Sequence, residues 1–191
     1  DIRHPDDVAQ AVAGQDAVIH LAFVIPKLSV TGVDCEDRPD WSRTVNVGGT
    51  ANLIAALQAQ VAPPRLIFAS SLHIYGPTQD LEPPRHIDDP LRPTEHYSFH
   101  KVECEQLVRD SGLKWSIFRF AAAMPIALTP DPGMYDVPLS NRMEFVHTRD
   151  VGLALANGVE SDAVWGKTLH IGGGPRCQLL YREIAAKALD A

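Results

Sequence analysis

Ser71 and, 26 residues further on, Tyr97 followed by Lys101 are the residues whose types and spacing could do chemistry. Residues four apart on a helix share a face, so the Lys101 ammonium can stabilise a Tyr97 phenolate electrostatically. That makes Tyr97 a candidate general acid/base near neutral pH. Ser71, in the run Ser70-Ser71-Leu72-His73-Ile74-Tyr75-Gly76, would deliver a hydroxyl from a separate strand end to hold a substrate oxygen while Tyr97 moves its proton. Together they point to oxidation or reduction at a carbon that bears oxygen. Taken alone, the pair also fits an amphipathic helix with a core tyrosine and a snorkelling lysine. The stripe Tyr97, Lys101, Cys104, Val108 argues otherwise, because its 4, 3, 4 spacing turns the lysine toward the core, where an unpartnered charge is costly.

The elements that must position these residues are legible from polarity and punctuation. Continuous apolar runs at 17–24, 66–69, 115–120 and 168–171 predict buried strands. A first helix opens at Pro5, with Asp6 and Asp7 at the positive end of its dipole, and stops at Gly14. A second is predicted over 40–60, a third carries Tyr97 and ends at Gly112, a fourth opens near Asp150, and a fifth starts near Leu180. Strand and helix in alternation predict an α/β fold, a doubly wound parallel sheet with ligands beyond the carboxyl ends of its strands. Ser71 lies just past one such end. The proline-rich stretch 76–93 should loop over that edge, and a second irregular stretch, 125–141, is placed to wall a substrate site.

Composition narrows the function. The 191 residues are 45% hydrophobic and 21% charged, as in an ordinary globular domain. Twenty-four acidic against 17 basic residues give a net charge of −7 with no basic stripe, which argues against nucleic acid as a partner. Cys35, Cys104 and Cys177 are far apart and odd in number, which fits free thiols and a cytoplasmic location. No apolar stretch has the length of a membrane span. His20, His73 and His147 lack a ligand spacing, so no metal is expected.

Several motifs then line up in order. Asp1-Ile2, His20-Leu21-Ala22, Asn46-Val47-Gly48-Gly49-Thr50-Ala51-Asn52-Leu53, Ser70 to Gly76, Tyr97 with Lys101, Phe145 to Val151 and Leu169 to Gly174 resemble those of the extended short-chain dehydrogenase/reductases, in their NAD-dependent epimerase/dehydratase branch. The resemblance implies a Rossmann-like fold with NAD or NADP as cofactor and a small-molecule substrate, possible homodimers, and a small substrate-capping portion formed by 125–142 and 172–191. It assigns catalysis to Ser71, Tyr97, Lys101 and Asn46, and cofactor contacts to Asp1, Ile2, Leu21, Ala22, Tyr97 and Lys101.

The pattern also departs from that family. Its glycine-rich pyrophosphate turn has no counterpart here, and by analogy roughly 55 residues, the fold's first strands, would precede Asp1. The chain therefore reads as one partial NAD(P)-binding domain, its first predicted strand at an unpaired edge, and the 191 residues alone are expected to bind cofactor weakly and to be inactive. Phe23 replaces a usual alanine, His100 stands where a small residue commonly precedes the lysine, and Arg119-Phe120-Ala121-Ala122 lacks a usual asparagine. The expected activity is that of an epimerase or dehydratase, on a nucleotide sugar among other candidates. A dehydrogenase or reductase of an apolar ketone or alcohol and a non-catalytic binding module are the alternatives. Lys101, with a cationic nicotinamide ring, is expected to lower the pKa of Tyr97.

Overall fold

The computed structural model describes residues 1–26, 35–124 and 138–189. In chain order its elements are α1 (Pro5–Val12), β1 (Ala17–His20), α2 (Pro39–Arg43), α3 (Gly49–Gln58), β2 (Arg65–Ser71), α4 (His96–Asp110), β3 (Trp115–Phe120), β4 (Ala122–Met124), β5 (Arg142–His147), α5 (Thr148–Glu160), β6 (Thr168–Ile171), β7 (Gln178–Leu180) and α6 (Tyr181–Leu189). Four strands form a parallel sheet in the order β1-β2-β3-β6. Successive residues of a strand point to opposite faces, and β2 uses this to fill two cores. Leu66 and Phe68 pack with Leu57, Cys104 and Val108 under α1, α3 and α4, whereas Ile67 joins Phe118 and Leu155 under α5. Helices on both faces of a parallel sheet make this the doubly wound architecture that the alternation predicted, Rossmann-like as the resemblance implied.

Local chemistry explains the boundaries. The first predicted strand stops at His20 rather than residue 24, because both backbone groups of Val24 are taken by one side chain: Asn46 Oδ1 accepts its N–H at 2.6 Å, and Asn46 Nδ2 donates to its carbonyl at 3.0 Å. The predicted helix over 40–60 is broken into α2, a wider π-type turn over Thr44–Gly48, and α3. Such turns mark places where a side chain must be re-aimed, and Asn46 sits within it. Tyr97 lies in the first turn of α4, whose free N–H groups are met from a distance: the Glu36 carboxylate accepts from His96 and Tyr97, both at 3.0 Å. Ser98 Oγ accepts from the Glu95 amide at 3.1 Å and completes the cap.

A second sheet, β4-β5-β7, was not foreseen from the sequence. Its strands are short, and β5 carries charge at Arg142 and Glu144, so it shows no continuous apolar run. The triple glycine at 172–174 belongs to this junction. Gly173 donates its N–H to the Phe145 carbonyl at 3.0 Å, and a Cβ there would lie 2.5 Å from that oxygen, so close backbone approach explains it. His147 is likewise structural, its Nδ1 accepting the Arg149 amide at the start of α5. Residues 125–137 of the expected substrate wall lie outside the described residues.

Candidate active site

β2 carries Ser71 out of the carboxyl end of the sheet. The chain then turns sharply at Gly76, whose φ is +63°, and a Cβ there would fall 2.0 Å from the Arg92 carbonyl oxygen. That turn brings the start of α4 back over the strand end. The Ser71 hydroxyl faces the Tyr97 phenol closely enough to lower its pKa. Ser71 Oγ also accepts the His73 amide at 3.1 Å, which fixes its orientation. Tyr97 stands edge-on to Phe23, with ring centroids 5.8 Å apart at 90°, and 6.0 Å from the His73 ring.

Lys101 faces inward, as the stripe required, and is 4% exposed beside the fully buried Cys104 and Val108. Its ammonium donates to the Ala69 carbonyl at 2.7 Å and lies 3.5 Å from the centroid of the Phe23 ring. Burial pulls its pKa down from 10.5 to about 7, against the opposing pull of Cys104 and Glu105. The expectation that Lys101 lowers the Tyr97 pKa is not met in this state. Burial raises the phenol above its ordinary 10.0, while the Ser71 hydroxyl pulls it down and Cys35 adds to the rise. The physical reason is that the ammonium is turned to Ala69 and Phe23, 5.7 Å from the centre of the tyrosine ring.

A lysine held this way destabilises the fold. Its charged form is favoured in the unfolded chain up to about pH 10.5 and in the native state only up to about 7, so stability rises with pH between those values. Lys101→Met should therefore stabilise the chain by roughly 1–4 kcal/mol at pH 7 and flatten that rise, as read from urea melts. A destabilised Met variant would show that the ammonium is structural.

The other residues singled out from the sequence are placed more loosely. Asn46 touches neither Ser71 nor Tyr97 in any hydrogen bond. It clamps Val24 and lies 3.3 Å from His100 Nδ1, which is also 3.7 Å from Cys35 Sγ. Leu21, 58% exposed, and Ala22, also exposed, lie just past β1. Ile2 packs on Gly49 at the start of α3, and Asn52 donates to its carbonyl at 3.1 Å. Asp1 is exposed and engages Arg3. An apolar ledge beside a buried amine and a phenol suits the nicotinamide ribose end of a dinucleotide, whereas these residues include no glycine-rich cradle for its pyrophosphate. Among the described residues no three His, Cys, Asp or Glu side chains gather to hold a metal, and no helix is long and apolar enough to cross a membrane.

Sequence reasoning missed two neighbours. Glu36 caps the Tyr97 helix from 61 residues away, with no local signal to reveal it. Glu95 Oε2 lies 2.8 Å from His73 Nε2 beside the phenol. The signal for this pair was available: His73 lies within a motif already singled out and Glu95 two residues before Tyr97.

His20 offers a separate handle. Thr50 Oγ1 donates to the Asn46 carbonyl at 2.6 Å, so His20 Nε2, 2.9 Å away, must be the donor to it. Burial, helped by the Lys101 charge, depresses the His20 pKa from 6.5 to about 3. The unfolded chain then binds the extra proton first, so stability is full above pH 6.5 and is lost as pH falls toward 3. At pH 5 the loss should be about 2 kcal/mol. Burial depresses His100 and His170 in the same direction. His20→Gln should shrink the difference between urea melts at pH 7.5 and pH 5, and an unchanged difference would remove His20 as a cause.

Known proteins resemble this chain in sequence and fold. The sequence model of the NAD dependent epimerase/dehydratase family matches residues 1–126. The chain belongs to that family. It is 32% identical over 123 residues to L-arabinose 1-dehydrogenase (NAD(P)(+)) of Haloferax volcanii, covering 56% of this chain and 43% of the relative. A 3-beta-hydroxysteroid dehydrogenase of Mycolicibacterium neoaurum is 38% identical over 81 residues, 42% of this chain and 22% of that protein. Among solved structures, a double mutant of DesIV, the dTDP-glucose 4,6-dehydratase of Streptomyces venezuelae with NAD and DAU bound, superposes with a TM-score of 0.77 at 25% identity. The superposition takes in 100% of this chain and 61% of DesIV, so the chain spans less than two thirds of these proteins.

Proposed function

We propose that this chain carries the catalytic centre of an NAD(P)-dependent oxidoreductase of the epimerase/dehydratase type, acting at a hydroxyl-bearing carbon through Ser71, Tyr97 and Lys101. The observation that carries this reading is the Ser71 hydroxyl, brought from the end of β2 to where it lowers the pKa of the Tyr97 phenol, with a buried lysine one turn further along α4. Bound NAD or NADP supplies the acceptor for hydride from the substrate carbon. Tyr97, as phenolate, takes the proton of the substrate hydroxyl as that hydride leaves, so both hydrogens and the two electrons are accounted for. Ser71 holds the oxygen while it becomes a carbonyl. Lys101 binds the nicotinamide ribose and steadies the phenolate, and Asn46 acts at one remove by fixing Val24.

On the same reading Leu21 and Ala22 line the nicotinamide side, Asp1 and Ile2 the adenine side, and 125–142 with 172–191 cap the substrate of a cytoplasmic, homodimeric enzyme. The substrate is a nucleotide sugar, as for DesIV with its dTDP-sugar name. An apolar alcohol is the second reading, favoured by Phe23 against Tyr97, by the small side chains at Ala121 to Ala123, and by the steroid dehydrogenase relative. Tyr97→Phe tests the chemistry, and a screen of dTDP- and UDP-sugars against a 3β-hydroxysteroid, each with NAD and NADP, separates the two substrate readings. Turnover of the steroid alone would reject the sugar.

A further inference from the structure

We propose that Phe23 is a gate over Lys101, a ring that must swing aside before the ammonium can reach the ribose of a nicotinamide cofactor. The inference rests on the cofactor reading above. Of the three rings around the ammonium, Phe23 is nearest, with its centroid 3.5 Å from Nζ against 5.0 Å for Phe68 and 5.7 Å for Tyr97. The Ala69 carbonyl takes one N–H at 2.7 Å. Lys101 thus has one N–H taken by β2 and its nearest ring from Phe23, which follows the exposed Leu21 and Ala22 in the chain.

The backbone cannot open this site easily, because Asn46 holds Val24, the next residue, by both its N–H and its carbonyl. Rotation of the Phe23 side chain is the remaining freedom, and the ring is only half-buried. Its other partners are Phe68, at 6.4 Å, and Tyr97, at 5.8 Å. Moving it therefore uncovers the lysine and one edge of the acid/base together. The groups that share the electrostatic surroundings of Nζ are His20, Cys104 and Glu105. All three are buried and on the core side, so none replaces the ring as a cover. A small residue at position 23 would leave the ammonium open from the start.

The test is made on the full-length natural protein with Phe23→Leu, which keeps apolar bulk, and Phe23→Ala. Breaking a cation–π contact costs the wild type affinity, so NADH and NADPH, titrated separately by fluorescence, should bind whichever cofactor is accepted about 3- to 30-fold more tightly in both variants. Proton NMR gives a second readout. In the free wild type the Lys101 ε-protons, lying over a ring face, should resonate upfield of ordinary lysines and return on saturation with cofactor; in the variants they should start there. Unchanged or weaker binding in both variants, or an upfield shift that persists in the saturated wild type, overturns the gate alone. Failure of wild type and variants alike to bind either cofactor overturns the reading beneath it.

Discussion

Tyr97→Phe should cut turnover by about 100- to 10,000-fold in the full-length protein while leaving cofactor affinity within a factor of about three. The substitution removes one oxygen and keeps the ring, so the edge-on contact with Phe23 and the packing beside His73 survive. What is lost is the proton acceptor on which Ser71 acts. Without cofactor the phenol is raised by burial, so it rests protonated at neutral pH. The cost of making phenolate must then be met when substrate and a cationic nicotinamide are both in place, which localises the loss in the chemical step. Single-turnover hydride transfer, followed by nicotinamide absorbance, measures it directly. A variant as fast as the wild type would take Tyr97 out of the role, and one that has lost cofactor binding would make it a binding residue instead.

Lys101 shows why the site was legible before the fold was known. The 4, 3, 4 stripe put a lysine on the core face, and it is there, buried with Cys104 and Val108. A burial pattern that contradicts side-chain chemistry is readable locally and needs no tertiary knowledge. Ser71 was equally readable, because a continuous apolar strand must end and its polar end faces the ligand side of a parallel sheet. The helix break at Asn46 was not. It depends on Val24 and Gly49 meeting partners 22 and 47 residues away, and helical periodicity runs straight across it. The second sheet was hidden for a related reason: three-residue strands such as β4 and β7 carry too few positions to show a period. Spacing alone fixes which face Lys101 shares and leaves open which acceptor its ammonium chooses, so without cofactor burial and not Lys101 sets the direction of the Tyr97 pKa.

Arg119 was singled out only for the asparagine missing after it, yet it anchors the largest expected effect on stability. Glu105 is fully buried in α4 and accepts from Arg119 Nε at 2.9 Å, Arg119 Nη2 at 2.8 Å, Arg109 at 2.7 Å and Ser70 at 2.6 Å. Burial pushes its carboxyl up, but Arg119, Ser70 and Arg109 more than offset this and hold it below the ordinary value. On the far side Arg119 donates to Tyr75 Oη at 2.6 Å and to the Ile87 carbonyl at 3.0 Å, and Tyr75 Oη lies 2.7 Å from His170 Nε2. One ion pair thus ties α4, β2, β3, β6 and the proline-rich loop together directly beneath Ser71. Glu105→Ala should cost about 3–5 kcal/mol in urea melts, because it strands a buried guanidinium. The double variant Glu105→Leu with Arg119→Met should recover much of that loss, since both desolvated charges are then gone. Hydrogen exchange should quicken around 86–92 in the single variant before it does in β2, as the loop loses its anchor. A single variant within 1 kcal/mol of wild type would mean that the pair contributes geometry to the strand end and almost nothing to its stability.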